Sequence, residues 1–159
     1  MHFAHWLQHN PVIFWMATSV VIATAVELLH YFSMFLLVGP IVVVDLRLLG
    51  VAARRTPPAQ LAGQLFPLMW TGLALNFLTG FLMFAFDATD FYDNWAFHIK
   101  LGVILAAVIF GIIVQWNVRG WGERPAAPAW GKIAAFVSLA LWIGSILAAV
   151  EVPNLTGVG

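Results

Sequence analysis

The stretch Glu27-Leu-Leu-His30-Tyr-Phe-Ser-Met34-Phe-Leu-Leu-Val-Gly39-Pro-Ile-Val-Val-Val-Asp45-Leu-Arg47-Leu-Leu-Gly50 decides the fold. It belongs to an apolar run long enough to cross a bilayer, with an acid and a histidine toward one end and an Asp-x-Arg pair at the other. Crossing the hydrocarbon core takes about 20 predominantly apolar residues in a helix. Ionisable groups inside such a helix are costly, by roughly 2.5 to 3.5 kcal/mol on insertion scales for Asp, Lys or Arg at the centre, so they usually turn inward and mark a site.

Outward from that stretch the composition agrees. The chain of 159 residues is 62% hydrophobic and 9% charged, and its apolar residues fall into blocks predicting spans at about residues 20–46, 65–86, 95–118 and 130–150. Between them lie a loop over 50–64 with Arg54, Arg55, Pro57 and Pro58, an acidic loop over 87–93, and a turn after Arg119. Short connections predict an all-α fold, an integral membrane antiparallel four-helix bundle forming one transmembrane domain over 1–159. Pro40, after Gly39, is expected to kink the first span. Residues 1–19 are mixed and Trp-bearing, which predicts a short interfacial helix broken at Asn10-Pro11. They lack a basic segment followed by a cleavage site, so no removable signal peptide is expected.

Several classes fall away on composition. With no cysteine there is no disulfide, no thiolate metal site and no covalent c-type haem attachment. A formal net charge of zero leaves no basic footprint for nucleic acid.

Short loops rich in Lys and Arg stay in the cytoplasm. Arg47, Arg54 and Arg55 follow the first span, and Arg119, Arg124 and Lys132 lie between the third and fourth; Lys100 alone is left for the other side. The expected setting is a bacterial inner membrane, crossed several times, with both termini and the acidic loop outside.

Helical rise then sets depth. His30 lies about 25 Å along its helix from Arg47, and His98 about 31 Å from Arg119, so both belong to the outer half. The same count brings Thr79, Gly80 and Met83 into that layer. Two imidazoles from facing helices are what a six-coordinate b-type haem uses, and helix bundles build cofactor sites between facing side chains. His30 and His98 are therefore the expected metal ligands of one haem b. Gly102, one turn inward from His98, would leave room for a flat macrocycle. Glu27, three residues before His30, would orient its ring or move a proton. Lys100, about 200° around the helix from His98, suits a haem propionate or the membrane surface. His30 paired with Met83, or His30 alone, are simpler versions.

Other readings stay open. His2, His5 and His9 fall at i, i+3 and i+7, one face of a helix, and with Glu27 and Met83 would serve copper or other small-solute transport; a polar interfacial face is the plainer reading. Asp87, Asp90 and Asp93 are most simply a solvated acidic loop. Asn76 and the glycines at 39, 72, 80, 102 and 144 read as helix-packing features. A cofactor-free accessory subunit is the third class.

One resemblance bears on these choices. His30, Gly39, Asp45-Leu-Arg47-Leu-Leu-Gly and, after a second span, Trp95-Ala-Phe-His98-Ile-Lys100-Leu-Gly look like a family of small four-span bacterial membrane proteins with an Asp-Leu-Arg-Leu signature. The layout of His30, Gly39, Arg47, Trp95 and Lys100 is also similar to that of HemJ-type protoporphyrinogen oxidases, which bind haem b, and of the CopD copper-resistance membrane domain. The resemblance implies haem b at His30 with Lys100 or His98 nearby, while His98 beside Lys100 points to a bis-histidine electron carrier more than an oxidase. The function expected is single-electron transfer near the outer face. Quinol and a periplasmic redox protein would be partners, and the Trp-rich outer edge suits a homo-oligomer or docking on a larger complex.

Overall fold

The structure, a computed structural model, describes residues 2–121, 124 and 126–156, with side chains described as far as Leu147. These residues form seven helices and no strand: α1 (His2–Gln8), α2 (Pro11–Thr18), α3 (Val20–Leu48), α4 (Pro58–Phe86), α5 (Ala88–Tyr92), α6 (Trp95–Arg119) and α7 (Ala129–Thr156). Four of them, α3, α4, α6 and the described part of α7, are long and apolar enough to cross a membrane.

Local chemistry sets the ends. Asn94 caps α6 by accepting from the backbone N–H groups of Ala96 at 3.0 Å and Phe97 at 3.2 Å, two of the donors a helix start leaves unpaired. Asn10 does the same for Val12 of α2 at 3.0 Å, and Pro11 supplies the first helical residue. At the far end of α3, Gly50 takes φ 77°. It thereby lets its own N–H reach Arg47 O at 3.0 Å and the Val51 N–H reach Leu46 O at 2.9 Å, the paired bonds of a Schellman stop that favours glycine. Arg47 ties down the loop that follows, donating from Nε to Thr56 O at 2.6 Å and from a terminal nitrogen to Arg54 O at 3.4 Å.

Three boundaries differ from expectation. The second span starts at Pro58, inside the predicted 50–64 loop, because Pro57-Pro58 opens a helix as readily as it ends one. The acidic loop contains the helical turn α5, and α7 runs to Thr156, past the predicted end at 150, whereas the break at Asn10-Pro11 divides the N-terminal segment into α1 and α2 as expected. Pro40 lies within α3 without ending it.

α3 packs on α4, α6 on α7, and the ring closes through α3 with α7 and α4 with α6. The core stripe of α3 is Leu37, Ile41, Val44 and Leu48, met by Phe66 and Met69 of α4, Val114 and Val118 of α6, and Trp142 of α7. The tightest approach is at Gly72, where a Cβ would lie 2.5 Å from Leu37 N and 2.6 Å from Leu36 C. This is the turn where Pro40, lacking an N–H, leaves the Leu36 carbonyl without its helical donor; small residues at such crossings let transmembrane backbones touch. Outside the core, Val20, Phe35, Phe77, Trp116 and Phe136 are exposed. Apolar surface on this scale is a liability in water and is resolved by lipid, so the molecule is a multi-pass membrane protein in a bilayer.

The two N-terminal helices cap one end. Ala4 and Leu7 bury against Ala85 and Ala88, and Gln8 Oε1 accepts from the Thr89 N–H at 3.1 Å and hydroxyl at 2.7 Å.

Candidate functional site

Beneath that cap, the first half of α3, the second half of α4, α5 and the first turns of α6 line a cavity of ≈ 580 Å³, open on one side past the exposed Val20 and Phe77 and within the ~300–1,000 Å³ of small-molecule and cofactor sites. Its walls are aromatic, with Phe77, Phe81, Phe84, Phe91 and Phe97; its polar residues include Glu27, His30, Asn76, Asp87 and Lys100. A few polar groups in an apolar pocket are how ligand sites set orientation.

His30 is held more closely than any other polar residue of the wall. Its Nδ1 lies 2.9 Å from Thr79 Oγ1, and the Thr79 hydroxyl donates to Leu75 O at 2.7 Å and shares Asn76 O at 3.2 Å. A hydroxyl has one hydrogen. With that hydrogen on α4's own carbonyls, Thr79 Oγ1 accepts from Nδ1–H, and the neutral ring keeps its lone pair on Nε2. Gly80 makes the room, since a Cβ there would stand 3.0 Å from His30 Cε1. The backbone is fixed as well: Asn76 Nδ2 donates to His30 O and to Ser33 Oγ, both at 3.1 Å, and Ser33 Oγ donates to His30 O at 2.8 Å. Ser33 is fully buried, so this polar set is satisfied where water is scarce.

Of the residues singled out in the sequence, His30, Glu27, Met83 and Lys100 line this one cavity. Glu27 does not hold the His30 ring; its Oε1 accepts from the Tyr31 hydroxyl at 3.0 Å, and the orienting role falls to Thr79. His98 and Gly102 lie elsewhere. α6 turns Phe97, Lys100 and Ile104 to the cavity, and at 100° per residue this leaves His98 on the face of the exposed Leu101 and Leu105. There its Nδ1 lies 2.7 Å from Asn94 O. At the N-terminus the His5 and His9 rings stack at 4.0 Å and 11°, with His9 Nδ1 2.9 Å from His5 O. Among the described residues no three His, Asp or Glu side chains gather as a metal-ion site.

In the sequence, Thr79 falls in the right layer without a role of its own, and Asn76 reads as a packing residue. The signal available was their spacing: Gly72, Asn76, Thr79, Gly80 and Met83 repeat at three and four residues, one small and polar face of α4.

Asp87, beyond the end of α4, stands exposed at the cavity mouth. Protein mass around its carboxyl, and secondarily the charge of Asp90, hold it above the usual carboxylate range. A carboxyl raised by folding stabilises the fold below its unfolded value, about 3.9, and loses that contribution as pH rises through the folded value. Thermal unfolding in detergent should therefore show the wild type falling below Asp87→Asn as pH climbs from about 4, the two converging in acid. A gap independent of pH would mean that Asp87 ionises as freely in the fold as outside it.

The comparisons with known proteins return one family, described as Family of unknown function (DUF6644), which matches residues 6–152. No curated protein and no solved structure matches the chain.

Proposed function

The chain belongs to the DUF6644 family, and from that premise we propose that it is a membrane-embedded b-type haem protein that passes single electrons near the outer face, with His30 as the imidazole ligand. The observation that carries this reading is the hydrogen bond from His30 Nδ1–H to Thr79. A metal-ligating histidine characteristically donates its other ring nitrogen to a fixed acceptor, which sets tautomer and ring orientation. Here the acceptor is supplied by α4 and the remaining lone pair belongs to a ring in the wall of an aromatic cavity.

The other lining residues suit the same group. Met83 is the soft sulfur donor in the wall, and Lys100 is a cation able to pair with a propionate. When bound, haem supplies a reversible one-electron couple whose potential follows from axial ligand, burial and nearby charge. The residues of this chain bind it, exclude water with phenylalanine, and hold the His30 proton on Nδ1. The resemblance of His30, Gly39, Arg47, Trp95 and Lys100 to the layout of HemJ-type proteins implies haem, and electron carriage is favoured over protoporphyrinogen oxidation. The basic residues after α3 and between α6 and α7 favour a bacterial inner membrane with both termini outside. Quinol and a periplasmic redox protein are the proposed partners, met by a homo-oligomer or within a larger complex.

The test is a dithionite-reduced minus oxidised spectrum of the detergent-purified protein, with pyridine haemochrome to count haem per chain. One b-type haem is expected in the wild type and in His98→Ala, and none in His30→Ala. A colourless wild type after expression with ample haem, or unchanged bands in His30→Ala, would sink the reading.

A further inference from the structure

Asp45 has no part in the His30 cavity, yet it is among the most deeply buried side chains, at 2% exposure. It is hydrogen-bonded to Ser138 of α7, and its Oδ2 has no hydrogen-bond partner among the described residues. A carboxylate removed from water without a cation costs several kcal/mol. A proton on the carboxyl, or a cation beside it, relieves that cost. The cavity Asp45 shares with Ser138 measures ≈ 20 Å³, room for one water. Phe66 and Met69 face it from α4, Gly111 and Val114 from α6, and Ser138 from α7; none of them titrates or carries charge.

A second orphan lies on the same line. Among the described residues, Asp45 Oδ2 and Trp142 Nε1 are the buried side-chain polar atoms without a hydrogen bond. Trp142 lines a cavity of ≈ 10 Å³, about the lower limit for a water. That cavity shares Ile41, Met69 and Gly111 with the Asp45 cavity and Leu73 with the large one. Three cavities thus stand in series along the bundle, and the two unpaired polar atoms belong to residues that line the two small ones. Buried polar groups left unpaired by protein are usually paired by ordered water.

We propose that Asp45 is a proton-exchanging carboxyl at the inner end of a water-bearing column that starts at the His30 cavity. In each exchange the Asp45 O–H bond breaks, its electron pair stays on the carboxylate oxygen, and the proton forms a new O–H bond on the neighbouring water; the return step reverses this. No oxidant or reductant takes part. The column stands on residues other than His30 and holds whether or not His30 carries a haem.

Infrared difference spectra of the full chain in lipid, recorded on transfer from H2O to D2O, test it. The wild type should show a protonated-carboxyl C=O band that shifts in D2O. Asp45→Asn should lose it, His30→Ala should keep it, and Ser138→Ala, a milder change, should move its frequency. Gly111 lines both small cavities, and a Cβ there meets nothing within 4 Å, so Gly111→Leu puts carbon where the waters would sit. It should keep the band and slow its deuteration by about tenfold, the size of effect expected when one buried hydrogen bond is left unmade. No band in the wild type, or a band indifferent to Asp45→Asn and Ser138→Ala, would overturn the proton site. Unchanged deuteration in Gly111→Leu would overturn the column.

Discussion

Gly72→Ala is expected to lower the stability of the bundle by at least about 1–3 kcal/mol, the usual cost of forcing carbon into a packed interior. The added Cβ would sit 2.5 Å from Leu37 N, 2.6 Å from Leu36 C and 2.9 Å from Leu37 Cα. All three neighbours are backbone, so no rotamer change relieves the overlap, and α4 must move off α3. Elsewhere in a helix the same substitution helps, because alanine exceeds glycine in helix propensity by up to about 1 kcal/mol. Gly102, exposed on α6 with nothing within 4 Å of a Cβ, is the control: Gly102→Ala should be neutral or stabilising. Denaturant titration of both variants in detergent, followed by circular dichroism, makes the comparison. Equal behaviour would mean that the α3–α4 crossing tolerates separation. The loss should reach the site too, since His30 and the Thr79–Gly80 turn that seats it lie on the two helices being forced apart.

Thr79→Val should weaken haem retention 10- to 100-fold, the usual penalty for removing the partner that orients a metal-bound histidine. The substitution keeps the branched shape and deletes the hydroxyl, which accepts from His30 Nδ1 at 2.9 Å. The helix loses nothing it needs, because the Leu75 and Asn76 carbonyls keep their backbone donors in α4. Thr79→Ser retains the oxygen and should retain binding. Haem titration of stripped protein, scored as retained haem per chain, separates the two. Equal retention in Thr79→Val and wild type would remove the tautomer argument and leave His30 as a packing residue bonded across helices.

Much of this was legible in the chain. Apolar runs of bilayer length, ended by Arg47, Arg119 and the Asp87 to Asp93 segment, located the four spans to within a few residues at most ends. The early start of α4 and the late end of α7 at Thr156 were the exceptions, the first because a Pro-Pro pair is both a loop signal and a helix opening. His30 and Met83 were placed at one level by counting rise, Glu27 beside His30 by spacing and Lys100 by its angle from His98, and all four line one cavity. His98 satisfied the same count and went elsewhere. Depth along a helix is a sum over residues, whereas the direction a side chain faces depends on how that helix is rotated against its neighbours. Lys100 and His98 are two residues apart, so α6 could give only one of them to the cavity. The Asp-x-Arg pair shows the same division: Asp45 enters the bundle to meet Ser138, and Arg47 turns to the loop carbonyls of Arg54 and Thr56.

By itself, then, the sequence determined that this is an α-helical membrane protein with four spans, their levels, and a polar layer containing His30. Length and hydrophobicity are local properties, and the bilayer reads them directly. Only the tertiary structure decided which polar groups meet. Thr79 is 49 positions from His30, the ring is seated because α4 presents Gly80 to it, and Asp45 meets Ser138 of α7 while its Oδ2 stays unpaired among the described residues. Each of these follows from the rotational setting of one packed helix against another, which is determined by close contacts such as Gly72 on Leu36 and Leu37 rather than by any single stretch of chain.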